Sequence, residues 1–107
     1  MAAKREDILA ARPRRASDAL LEPTSGGALV KMPISARWPF RLPKGATKTF
    51  ELDEMGLWVW DACDGNATLL DVITRFAKHF GLTVREAEVS TTKFLEMLAM
   101  RKLVTIQ

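Results

Sequence analysis

Two threonines, each with a carboxylate three residues downstream, constrain the fold of this 107-residue chain more than any other feature. Thr68 with Asp71, and Thr83 with Glu86, have the spacing of a capping box. In that motif the threonine oxygen accepts a first-turn backbone N–H, and the acidic side chain reaches back to the threonine's own N–H. Each box follows a helix stop, Asp64-Gly65 and then Gly81, because glycine takes the left-handed conformation that ends a helix. With Asp53 as a further N-cap, the spacing predicts three helices: from Asp53 to about Cys63, from Thr68 to Phe80, and from Thr83 to about Lys102. Residues 103–106 then read as extended.

Ahead of the helices the period changes. Leu29, Val30, Lys31 and Met32 alternate in character behind the turn formers Pro23, Thr24, Ser25, Gly26 and Gly27, which predicts a β-hairpin. Residues 47–52 alternate again, with Lys48, Phe50 and Leu52 on one face and Thr49 and Glu51 on the other, giving a third strand. Between them, residues 35–46 hold Trp38-Pro39, Leu42-Pro43 and Gly45 and read as a long loop. Trp38 in that loop reads as a lid over the helical core or as an exposed recognition aromatic. The expected fold is α+β: an N-terminal three-stranded antiparallel sheet followed by three helices, winged-helix-like with the wing placed first. Residues 1–17, where Pro13 interrupts any helix begun at Ile8 and Leu9, form an N-terminal arm of small structural weight. Residues 18–107 form the domain.

The third helix carries two adjacent arcs. Ala87, Thr91, Phe94, Leu95 and Leu98 make a core stripe at about 100° per residue, and Glu86, Ser90, Lys93, Met97 and Arg101 lie beside it. On the first helix, Trp58 and Trp60 point about 200° apart, so one packs and the other is partly exposed or covered by the arm.

Chemistry finds little support. His79 and Cys63 are single copies, well short of the three or four ligands of a zinc site, and neither belongs to a nucleophilic arrangement. Asp61 and Asp64 read as helix-end and turn residues, so no catalytic residue, metal or cofactor is assigned. No apolar run is long enough to span a membrane and the polar start lacks a signal peptide's apolar stretch, which with a single cysteine points to the cytoplasm. The net charge of +3 divides into ten Lys/Arg against four Asp/Glu up to Phe50 and six against nine beyond it. The basic arm, with Arg12, Arg14 and Arg15, keeps a winged-helix DNA-binding protein as the alternative reading. Against nucleic acid, the third helix sets Arg85, Lys93, Arg101 and Lys102 against Glu86, Glu88 and Glu96.

From Phe50-Glu51-Leu52-Asp53 through the apolar helix with Trp58 and Trp60, the stop Cys63-Asp64-Gly65 and the capping Thr68, the chain resembles the PqqD family. The resemblance continues through Val72-Ile73, Phe80, Val89, Phe94-Leu95 and Leu98 to Arg101-Lys102-Leu103-Val104, so 18–107 is taken as a PqqD-like domain. It implies a non-catalytic peptide chaperone, or recognition element, that binds the leader of a ribosomally made precursor peptide and presents it to a modifying enzyme, often a radical-SAM enzyme. In that family the leader pairs as an extra strand on the third strand and lies against the third helix. Carried over, the peptide-binding residues are Lys48, Thr49, Phe50, Glu51, Leu52, Ser90, Lys93, Met97 and Arg101. An edge strand of this kind can also recruit a second copy, so a homodimer through it is expected as well. A structural subunit of a larger enzyme is a further reading.

Overall fold

The computed structural model describes residues 5–33 and 47–106. In chain order the elements are α1 (Arg5–Leu9), β1 (Pro13–Arg15), β2 (Leu20–Thr24), β3 (Gly27–Pro33), β4 (Thr47–Asp53), α2 (Glu54–Ala62), α3 (Leu69–Phe80), α4 (Val84–Met100) and β5 (Val104–Ile106). The fold is α+β, with a three-stranded antiparallel sheet ordered β2-β3-β4. The three helices expected from the caps are α2, α3 and α4, and the expected third strand is β4. The chain divides into a sheet unit, Ser17–Leu57, and a helical unit made of Met1–Ala16 and Trp58–Gln107.

Local chemistry sets the helix ends. Both capping boxes are complete: Thr68 accepts from the Asp71 N–H and Thr83 from the Glu86 N–H, while each carboxylate accepts the threonine's own N–H. These bonds hold the Asp71 and Glu86 carboxyls below their ordinary pKa. Asp53 accepts the Gly56 N–H at 2.7 Å to start α2, and Gly81 closes α3 at φ 66°, ψ 37°. Asp64 closes the next turn, accepting N–H groups from Asn66 and Ala67 at 2.8 Å each.

In the helical unit α3 and α4 pack on each other and bury Leu69, Val72, Ile73, Phe76, Ala87, Leu95 and Leu98. Phe94 departs from the expected stripe and stays half-buried. The buried face centres between Thr91, Leu95 and Leu98, which leaves Phe94 on its flank beside Ser90 and Arg101. Thr91 is fully buried, and its hydroxyl has no hydrogen-bond partner among the described residues.

The arm has more structural weight than its composition suggests. β1 pairs antiparallel with β5 from Pro13↔Ile106 to Arg15↔Val104, and Pro13 is fully buried. The segment also accepts the Gly65 N–H at Pro13 and the Leu69 N–H at Ala11, and donates from the Arg15 N–H to Cys63 O. Gly65 sits at φ 81°, and a Cβ there would meet the Arg14 side chain at 3.3 Å. The arm settles the two tryptophans too. Trp60 is buried, its indole N–H donating to Leu103 O at 3.1 Å, with the Arg15 guanidinium over its ring. Trp58 remains partly exposed, edge-on to Phe76 and stacked on the exposed His79.

In the sheet unit, Ser25 and Gly26 connect β2 to β3, and β3 pairs with β4 over seven residues from Gly27↔Asp53 to Pro33↔Thr47. Ala28, Val30 and Leu52 are buried on alternate positions. Gly27 fixes the end of the β3–β4 ladder, because a Cβ there would lie 1.9 Å from Leu52 O. The expected loop 35–46, with Trp38, lies outside the described residues.

Candidate functional site

In the sheet unit the candidate surface is β4. It pairs with β3 on one side, and no strand lies on its other side among the described residues. An antiparallel strand in this position presents a row of N–H and C=O groups away from its neighbour, which is a template for a further strand. Its faces follow the alternation: Leu52 is buried, Phe50 half-buried with the Lys48 ammonium 5.3 Å from its ring centre, and Thr49 and Glu51 exposed. β2 is the other edge, exposed along its whole length, with Pro23 unable to donate a ladder hydrogen bond there.

In the helical unit the second arc of α4 borders a hollow of about 420 Å³ lined by Lys93, Glu96, Met97, Met100 and Arg101. The structure thus brings Lys93, Met97 and Arg101 around one space and leaves Ser90, half-buried two turns away from Met97, outside its lining. Met100, 84% exposed, and Glu96 join it. Both were legible in principle, since Met100 stands three residues from Met97 and Glu96 three from Lys93, on the same side of the helix. Unbranched thioether side chains make the wall adaptable in shape. The two cations bias it toward acidic ligands, with Glu96 as a counterweight.

The residues set aside for chemistry have structural explanations. Burial pushes the Cys63 thiol up to about 12, and its Sγ–H donates to Val59 O at 3.1 Å, so it carries almost no thiolate at neutral pH. Asp64 is held below the usual carboxylate range by the backbone N–H groups of Ala67 and Asn66. Among the described residues no three His, Cys, Asp or Glu side chains group around a common metal position, and no helix is long and apolar enough to cross a membrane.

A family model for coenzyme PQQ synthesis protein D, PqqD, matches residues 39–104, well over half of the chain. The chain belongs to the PqqD family. No curated protein and no solved structure matches it. The span shared with PqqD proteins holds β4, α2, α3 and α4 and ends at the first residue of β5, so both candidate surfaces fall inside it. The arm and the hairpin strands β2 and β3 precede it.

Proposed function

We propose that this PqqD-family chain is a non-catalytic peptide-binding module. It holds the leader of a ribosomally made precursor peptide and presents it to a modifying enzyme of the radical-SAM kind. The observation that carries this reading is β4, a seven-residue edge strand inside the family's span whose outer side has no strand partner among the described residues. Strand addition supplies backbone hydrogen bonds that do not depend on the peptide's sequence, while side-chain pockets supply the selectivity. The proposed contacts are Lys48, Thr49, Phe50, Glu51 and Leu52 along the strand, and Ser90, Lys93, Met97 and Arg101 on α4. Membership of the family supports a peptide leader as the ligand, and the Met97 and Met100 hollow with its cations supports an acidic, partly apolar one.

The arm weakens the DNA-binding alternative. Arg15 donates to Asp61 O and covers Trp60, and Arg14 lies along Gly65, so two of the arm's four arginines serve the fold.

The test is titration of the folded chain with a synthetic leader from the precursor encoded beside it, using the parent, Met97→Glu and Arg101→Glu. Both positions are half-buried at the edge of the packed face. The melting temperature should therefore change little, while affinity for an acidic leader falls by about tenfold or more. Variants that melt normally and bind as the parent does would remove α4 from the site. Steeply salt-dependent binding to duplex DNA, with none to the leader, would favour the alternative.

A further inference from the structure

A second hollow lies in the helical unit, on a different side of α4 from the first. It has a volume of about 330 Å³ and is lined by Asp7, Ile8, Ala11, Pro13, Leu69, Leu95 and Ile106. Its floor is packed core, with Leu69 and Leu95 7% and 3% exposed, whereas Ile8 and Ile106 on its walls are 47% and 54% exposed. Strand pairing holds its shape, because Pro13 and Ile106 are partners in the β1–β5 ribbon. The hydrogen bond from Leu69 N to Ala11 O, at 2.8 Å, ties the end of the α1 segment to the start of α3.

The two hollows of this unit share α4 and lie on different sides of it. Leu95 lines one and Met97 the other, and residues two apart on a helix point about 200° from each other. Their charges are opposite as well. The α4 hollow has two cations and one carboxylate among its lining residues. Among the described residues, the hollow under α1 has one charged lining residue, Asp7, with Glu6 next to it in the same helical turn.

We infer that the hollow under α1 docks a segment of a partner protein in which a large apolar side chain stands beside a lysine or arginine. The volume is at the small end for ligand pockets. Its walls give a polar small molecule almost nothing to orient on, whereas an apolar side chain gains by burial against Leu69, Leu95 and Ile106 and leaves its cationic neighbour at Asp7. Because α4 separates the two hollows, an acidic peptide on one side and a basic, apolar partner segment on the other can be held at once.

The experiment records amide spectra of the isotope-labelled full chain during titration with acetyl-Lys-Leu-Trp-Leu-Lys-amide and with its counterpart carrying glutamates for lysines. The lysine peptide should shift Ile8, Ala11, Leu69 and Ile106 saturably, with the glutamate peptide about fivefold weaker at those signals. Asp7 is exposed, so Asp7→Lys keeps the fold and should reverse the preference. Ala11→Trp should fill the space and abolish the shifts, with Ile106→Glu as the second variant if that one fails to fold. Equal response to the two peptides, shifts centred on Lys93 and Met97, or an unchanged preference in Asp7→Lys would each overturn the inference. So would self-association of the free chain through these same residues, which would make the occupant a second copy.

Discussion

The helical unit and the sheet unit differ in how completely their backbones are used. In the helical unit the starts of α3 and α4 and the end of α3 are closed by Thr68, Thr83 and Gly81, and the arm pairs with β5 and with the turn at Gly65. Its core includes Phe76, Ile73, Leu98 and Leu103, all essentially fully buried. The sheet unit buries Ala28, Val30 and Leu52, and two of its three strands have a strand neighbour on one side only among the described residues. Among the described residues the apolar face of these three strands is small, and a sheet of three strands is close to the lower limit for independent stability. A region with satisfied ends and a filled core resists change. A strand edge of this kind keeps the capacity to pair, which suits a surface that must accept a peptide.

The largest expected effect is in the helical core. Phe76→Ala or Leu98→Ala should cost roughly 2 to 5 kcal/mol by leaving a cavity where the structure relaxes incompletely, read as the shift in denaturant midpoint. A loss under about 1 kcal/mol would show that this unit is not the stable one. Next is Gly27→Ala in the sheet unit. Its new methyl would strike Leu52 O, and overpacking of this kind costs roughly 1 to 3 kcal/mol. Hydrogen exchange should show protection lost along β3 and β4 and retained in α3. Equal loss in both would mean that the two units open together.

Removing a cap sharpens the comparison at smaller scale. Thr83→Ala should cost about 1 kcal/mol, visible as fraying of the first turn of α4. The capping carboxylates also give the helical unit a pH dependence. Asp64, Asp71 and Glu86 have lowered pKa values in the folded state, so their contribution is present above the ordinary carboxylate range and is lost as pH falls through their folded values. Stability measured from neutral to acid pH should decline there, with less decline in Thr83→Ala. The smallest effect has the opposite sign. Thr91→Val removes a buried hydroxyl that has no partner among the described residues and keeps the shape, so stability should rise by up to about 1 kcal/mol in thermal melts.

How far the sequence carried the reading depends on the range of the interaction. Capping is a contact between residues three apart, and alternation is a property of successive residues, so Thr68–Asp71, Thr83–Glu86, Gly81 and the faces of β4 were all readable one segment at a time. The arcs of α4 followed from helical periodicity, although the burial of Leu95 rather than Phe94 required the neighbouring helix. The sequence also carried the resemblance to PqqD proteins, since β4 and α4 lie within the family's matched span.

Tertiary structure decided what depends on distant partners. Pro13-Arg14-Arg15 has no alternation to mark it as a strand and becomes one because Val104, Thr105 and Ile106 arrive beside it. Trp60, rather than Trp58, is buried because Leu103 O meets its N–H and Arg15 covers its ring. The hollow under α1 draws its walls from α1, β1, α3, α4, β5 and the turn after α1. No periodicity within one segment can record a space bounded by so many, because its shape exists only once the chain has closed upon itself.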